Sequence, residues 1–263
     1  MARAPSGLGA DTGRGVTSAP PPGRYGWLDF NAPMSGALAD SLASALTRGA
    51  PRAVLDIGCG WGELLLRVLA AAPDARGIGV DRDAPLLERG RANAAARGLD
   101  SRVTFREQFL DADERGPADV VICVGADHIF GTQGEALREL ATVVAPGGRV
   151  LFGSGYWERT PSVEEAEGLG ATPDDFGSLP DLVDLALICG FRLLDLRTAT
   201  RREWEAFEMG FLADWEEWLL RWPDDPAAPE IRERADAHRN GYLRGYRDIL
   251  GFAYLILGRP ATR

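Results

Sequence analysis

Asp56, Asp81 and His128 are the side chains whose settings most invite chemistry. Asp56 interrupts an apolar run that passes directly into closely spaced glycines, Val54-Leu55-Asp56-Ile57-Gly58-Cys59-Gly60-Trp61-Gly62-Glu63. A carboxylate ahead of such a turn would repel a pyrophosphate and suits a ligand that carries a cationic amino group. Asp81 closes a second apolar run, Gly77-Ile78-Gly79-Val80. At the carboxyl end of a strand, a carboxylate can take both hydroxyls of a ribose. His128 follows a further apolar run, Ala118 to Val124, in the segment Gly125-Ala126-Asp127-His128. An imidazole titrates near neutrality and is the natural candidate for a general base, while a loop histidine can equally serve only to bond the backbone. His238 is the one other histidine and lies far along the chain.

These residues need a scaffold of strands that end together. Val54, Leu55 and Ile57 read as a parallel strand buried on both faces. Glu63 to Ala71 is rich in Leu and Ala and reads as the helix that follows at once. Asp83 can cap a second helix from Ala84 to Arg97, with Pro85 in its first turn and Gly98 at its end. Val103-Thr104-Phe105 reads as the third strand, Ala118 to Val124 as the fourth and Arg149 to Gly153 as the fifth, after a Pro146-Gly147-Gly148 turn. Helices are expected at about 134–144 and from Asp181 to Cys189, and strands from Phe191 to Leu196 and Gly251 to Leu257. Strands alternating with helices predict a parallel sheet wound on both faces, with a ligand at the carboxyl edge.

Two ligand classes use a strand–glycine turn–helix unit. Dinucleotide sites space the glycines as G-x-G-x-x-G. Here the spacing is G-x-G-x-G with Asp56 ahead of it, and this stretch resembles the first motif of the class I S-adenosylmethionine-dependent methyltransferases. The resemblance extends from about residue 50 to 197 plus the last strand. It implies a Rossmann-like α/β fold, a doubly wound sheet of seven strands with the last antiparallel between the fifth and sixth. It implies S-adenosyl-L-methionine as cofactor, with the Gly58, Cys59, Gly60, Gly62 loop along its methionine part. Asp56 and the main chain of Cys123, Val124 and Gly125 would serve its amino group, and Asp81 its ribose. The stem of Arg82 would pack on adenine. Where the family often has Asp after the third strand, this chain continues Gln108-Phe109, so Gln108 and Phe109 stand at the adenine position and Asp111 lies two residues on. His128 is the catalytic candidate.

Other signals concern the acceptor. Tyr25, Trp27, Phe30, Asn31 and Met34 form an aromatic patch ahead of a helix at about 35–48; it either covers the cofactor or docks the segment, with Tyr25, Trp27 and Asn31 as candidate substrate contacts. Tyr156, Trp157 and Glu158 follow the fifth strand and are expected to line the pocket, where aromatic faces suit a cationic or planar substrate. About fifty residues separate the sixth and seventh strands, more than a bare connection needs. Trp204, Phe207, Phe211, Trp215, Trp218 and Trp222 recur at helical steps, and Ile231, Ala235, His238, Tyr242, Tyr246 and Ile249 repeat them beyond a proline break. This reads as a helical hairpin over residues 199–250 acting as a lid, with His238, Tyr242 and Tyr246 facing substrate. The methyltransferase domain would then comprise 24–198 and 251–263, behind a disordered leader at 1–23 rich in Gly, Pro, Ala and Ser.

Composition narrows the class. The chain has 263 residues and a net charge of −10, which argues against nucleic acid as partner. Three cysteines, Cys59, Cys123 and Cys189, in apolar settings fit reduced thiols in the cytoplasm. No run is long and apolar enough to span a membrane, no His/Cys/Asp cluster has metal-ligand spacing, and a monomer or homodimer is expected. The expected function is methyl transfer to an N or O atom of a small molecule, possible specialised metabolites included. The alternatives are a non-catalytic S-adenosylmethionine-binding partner protein and a nicotinamide-dependent oxidoreductase. The glycine spacing disfavours the second, and the intact glycine loop and Asp81 disfavour the first.

Overall fold

The apolar runs become strands β1 (Ala53–Ile57), β2 (Arg76–Asp81), β3 (Val103–Glu107), β4 (Ala118–Val124), β5 (Val144–Trp157), β6 (Arg192–Thr198) and β7 (Leu250–Gly258). They form one sheet in the order β3-β2-β1-β4-β5-β7-β6 in a computed structural model that describes residues 19–107 and 117–261. β7 runs antiparallel to both β5 and β6, and the remaining pairs are parallel. Gln108, Phe109, Asp111 and residues 1–18 of the expected leader lie outside the described residues.

The helices are α1 (Gly36–Leu46), α2 (Glu63–Ala71), α3 (Ala84–Ala96), α4 (Gln133–Val143), the short α5 (Val163–Glu167), α6 (Leu179–Ile188), α7 (Arg201–Arg221) and α8 (Ala228–Asn240). Alternation along β1 divides the core between the two faces of the sheet. Val54 joins Leu42 and Leu46 of α1 and Leu65 and Leu69 of α2 on one side. Leu55 and Ile57 join Leu137 and Leu140 of α4 and Leu182 of α6 on the other. Each such side chain, fully buried, contributes about 1.5–3 kcal/mol.

Caps set where the helices begin. The Asp83 carboxylate accepts the Leu86 N–H at 3.3 Å and starts α3. Thr200 and Glu203 form a capping box on α7, and Glu203 has a second task. One of its oxygens takes the Thr200 N–H at 2.8 Å, while the other takes the N–H and hydroxyl of Ser35, the N-cap of α1, at 3.1 and 2.6 Å. One carboxylate thus fastens two helix starts.

Two expectations are corrected. The fifth strand does not begin after Pro146-Gly147-Gly148. β5 includes that tripeptide as an irregularity, where pairing with β4 passes from Ala118↔Val144 to Val120↔Arg149. It also runs on to Trp157, because β7 supplies partners to the end, Tyr156↔Gly251 and Trp157↔Leu250. Tyr156 and Trp157 therefore belong to the strand and are buried, at 4% exposure each. The second hairpin helix is likewise not α-helical throughout. α8 gives way to a π-helical turn over Gly241–Tyr246, where the Arg247 N–H reaches the Tyr242 carbonyl at 3.2 Å. Gly241 and Gly245, both poor α-helix formers, stand in that turn.

Gly251 makes room for the Tyr156 ring. A Cβ there would lie 2.3 Å from the ring's Cζ. Gly251→Ala is therefore expected to lower stability by about 1–3 kcal/mol through overpacking. An unchanged midpoint in chemical denaturation would show that the strand pair can spread at no cost.

Candidate functional site

Sheet order reverses between β1 and β4, and at such a point the helices leave to opposite faces and open a crevice beyond the strand ends. The loop from β1 to α2 occupies that crevice. It docks on β2 through the N–H groups of Gly58 and Cys59, both donating to the Val80 carbonyl at 2.9 and 3.0 Å. Gly60 and Gly62 have φ of 55° and 64°, the left-handed region that favours glycine. A Cβ on Gly62 would fall 2.4 Å from the Phe105 ring, whereas one on Gly60 would meet nothing within 4 Å. The loop is packed tight at its helix end and bare where it faces the crevice.

Asp81 fixes this loop to the next helix. One of its oxygens accepts the Gly60 N–H at 2.8 Å and the other the Asp83 N–H at 2.9 Å. Asp56 is placed differently. It is 4% exposed, borders the same crevice, and receives no hydrogen bond from any described residue. Burial, reinforced by the Asp81 charge, pushes its carboxyl up to about 8. Burial likewise pushes the thiols of Cys59 and Cys123 well above the usual thiol range, which leaves them inert as nucleophiles.

The crevice continues into a cavity of about 470 Å³. Of the expected cofactor residues, Asp56, Gly58, Cys59, Gly60, Asp81, Arg82, Val124 and Gly125 line it; Cys123 is buried beneath, and Gly62 is turned into the packing with Phe105. His128 lines it too, in the single helical turn Asp127–Ile129 after β4. That turn is held from below. Asp127 accepts the Ser154 hydroxyl at 2.7 Å, and the Gln133 amide donates to Ser154 Oγ and the Gly155 carbonyl at 2.7 and 2.8 Å.

The opposite wall comes from the segment ahead of α1. Arg24, Tyr25, Phe30, Asn31, Ala32 and Met34 all border the cavity. Of the residues expected to meet substrate, only Tyr25 and Asn31 are in this wall. Trp27 points to solvent at 62% exposure. Tyr156 donates its hydroxyl to Glu158 at 2.7 Å, and Trp157 donates to the Pro173 carbonyl at 2.9 Å, so these three brace the segment after β5 rather than line the cavity. His238, Tyr242 and Tyr246 lie inside the hairpin. His238 meets buried Glu208 at 2.6 Å and stacks on Phe211, while Tyr242 and Tyr246 pack on each other at 5.4 Å.

Among the described residues, the hairpin meets the cavity through that wall. Asp214 of α7 accepts the Gly26 N–H at 2.8 Å, and Phe211 meets the Tyr25 ring edge-on at 5.4 Å. Trp218 donates to the Pro20 carbonyl at 2.6 Å. Of the cavity lining, Arg24, Trp61 and Ile129 escaped the sequence reading, and Phe30 and Met34 were read only as members of the aromatic patch. Their only signal was the aromatic density near Phe30 and a tryptophan set between two glycines. Among the described residues, no group of three or more His, Cys, Asp or Glu is placed to hold a metal ion, and no helix is long and apolar enough to cross a membrane.

The donor set fits S-adenosylmethionine: a buried carboxylate to which no described residue donates for an ammonium, a second carboxylate at a strand end for ribose hydroxyls, and a bare glycine turn between them. Comparison with known proteins agrees. A methyltransferase domain model matches residues 54–148. The uncharacterized protein YjhP of Escherichia coli K12 is 30% identical over 211 residues, spanning 78% of this chain and 83% of its own. A 27-O-demethylrifamycin SV methyltransferase of Amycolatopsis mediterranei is 32% identical over 148 residues, 54% of this chain and 53% of that one. A S-adenosylmethionine-dependent methyltransferase of Geobacter sulfurreducens, solved with S-adenosyl-L-homocysteine, superposes with a TM-score of 0.77 at 28% identity, covering 87% of this chain and 92% of that one. Likeness over nearly the whole of both chains, joined to this cradle, makes the protein a methyltransferase of the class I family, with S-adenosylmethionine as its cofactor.

Proposed function

We propose that the cavity binds S-adenosylmethionine beside a small-molecule acceptor and that the chain methylates an N or O atom of that acceptor. The observation that carries this reading is Asp56, a buried carboxylate that no described residue hydrogen-bonds and that opens on the same cavity as Asp81. In the bound state Asp56 faces the amino group, the Gly58–Gly60 turn runs along the methionine part, and Asp81 takes the ribose hydroxyls. Val124 and Gly125 offer main-chain groups, and the stem of Arg82 covers adenine. The cofactor itself supplies an activated methyl on a sulfonium.

The protein's share is to orient the acceptor and keep water out. Tyr25 and Asn31 from the wall and His128 from the β4 turn border that space. His128 is the general base, free to take a proton from the accepting atom because its turn is pinned from beneath by Asp127 and Ser154. The cavity lies in the range of small-ligand sites, and the net charge of −10 disfavours a nucleic-acid acceptor. The 27-O-demethylrifamycin SV methyltransferase gives 27-O-demethylrifamycin SV as a precedent for the acceptor class. Free thiols at Cys59, Cys123 and Cys189 fit a cytoplasmic setting. Calorimetric titration with S-adenosylmethionine and with NAD tests the cofactor reading. Screening metabolite extracts with an isotopically labelled methyl donor tests the acceptor class, and transfer only to macromolecules would overturn it.

Asp56 gives a test by pH. Its folded value of about 8 lies above the ordinary 3.8, so the fold favours the neutral acid. Ionising it costs stability, and its contribution therefore falls as pH rises from about 4 to about 8, at about 1.4 kcal/mol per unit. Asp56→Asn removes that cost. The cofactor-free variant is expected to match wild type near pH 4 in chemical denaturation and to become progressively more stable than wild type up to about pH 8. Parallel stability curves would mean that Asp56 is solvated.

Asp81→Ala is expected to weaken S-adenosylmethionine binding by about tenfold or more, on the scale of charged hydrogen bonds, with the circular dichroism unchanged. Wild-type affinity in that variant would remove Asp81 from the site. His128→Ala should lower kcat by about a hundredfold across the pH profile while KM shifts little. A profile superimposable on wild type would return His128 to a structural role.

A further inference from the structure

We propose that Arg89 is a positioning residue for methyl transfer: it ties the wall of residues 24–34 to the cofactor loop, so that filling the loop and closing the wall become one event. The inference rests on reading the cavity as the S-adenosylmethionine site.

Arg89 stands on α3, near Leu86, which lines the cavity. Its guanidinium reaches across to the wall and donates to the Tyr25 carbonyl at 2.8 Å and the Leu28 carbonyl at 2.7 Å. The same group lies 4.0 Å from the centroid of the Trp61 ring. Trp61 sits between Gly60 and Gly62 in the cofactor loop, and its indole N–H donates to the Asp29 carbonyl at 2.8 Å. Three main-chain carbonyls of the wall, from Tyr25, Leu28 and Asp29, are therefore held by one side chain of α3 and one of the loop. The Tyr25 ring also rests 5.8 Å from Trp61.

The wall needs this hold. Tyr25 has a φ of 60°, a left-handed conformation that a bulky residue keeps only when its surroundings impose it. From outside, Asp214 imposes it through Gly26; from inside, Arg89 does so through the Tyr25 carbonyl itself. The planar fork that bonds two carbonyls while stacking on an indole is a geometry that arginine has and lysine lacks. Burial lowers the guanidinium of Arg89 below its ordinary range, against the opposing pull of Asp29, Glu63 and Asp214. Arg89 does not line the cavity and acts through Tyr25 and Trp61.

The test uses the full chain, S-adenosylhomocysteine as probe, and trypsin cleavage after Arg24, which lies in the wall. In wild type, saturating S-adenosylhomocysteine is expected to slow that cut about tenfold, since ligand and closed wall stabilise each other. In Arg89→Met the affinity should fall about tenfold or more, because ligand then binds with the wall open and loses the coupling that the closed wall adds. The cut should stay fast at ligand concentrations that saturate the variant. Arg89→Lys should fall between, keeping the charge without the fork. Wild-type affinity and undiminished protection at Arg24 in Arg89→Met overturn the proposal. So does a lowered melting temperature with the protection ratio intact, which marks a residue of stability alone. If Arg89→Met does not fold, Arg89→Lys decides by the same two readings. A wild type that binds S-adenosylhomocysteine without protection of Arg24 overturns the coupling only, whereas a wild type that does not bind it overturns the cofactor reading and this proposal together.

Discussion

The carboxylate of Asp81 holds the centre of the molecule. It bonds the Gly60 N–H with one oxygen and the Asp83 N–H with the other, and so joins the turn after β1 to the start of α3. Asp83 then caps α3 and pairs with Arg24 at 3.1 Å, which brings the wall to the same point. Loop, helix and wall meet at the end of β2 because charge-assisted bonds to backbone donors are short and directional. Without that junction the glycine turn, which is bare on its cavity side, has little else on that side to set its path.

The scaffold was legible because its signals are local. β4 and α2 have the ends read from the sequence, and the seven strands follow the family order with β7 antiparallel. Apolar runs, glycine turns and caps act within a few residues, so spacing reveals them. The extent of β5 was not legible, since Tyr156 and Trp157 are strand residues only because β7, nearly a hundred residues on, pairs with them. The wall was half legible. Tyr25, Phe30 and Asn31 announced aromatic packing, but its bonds to Asp214 and Arg89 join residues 188 and 64 positions apart. No window of sequence shows such contacts.

The hairpin illustrates the same limit. Its aromatic stripes promised a lid, and both helices are present. Yet the rings are consumed in packing within the hairpin, against β7 and against residues 19–35: Trp204 against Tyr246 and Phe252, Phe211 between Tyr25 and His238, Trp218 over Ala228 and Ile231. Periodicity shows that a face is buried and does not show against what. The hairpin stands as a backing to the wall, and the cavity is bordered by the wall itself.

The double cap made by Glu203 bears on how the chain matures during synthesis. Ser35, Gly26, Pro20 and Ala19 take their partners from Glu203, Asp214, Trp218 and Asp225. The early segment thus leaves the ribosome long before anything exists to receive it. The sheet can assemble from β1 through β5 in order of emergence, whereas the cofactor wall must wait for the hairpin, a contact of high sequence separation that orders late. A nascent chain stalled before residue 201 would carry the glycine loop and Asp81 without the backing for its wall, so competence for methyl transfer waits on the synthesis of the hairpin.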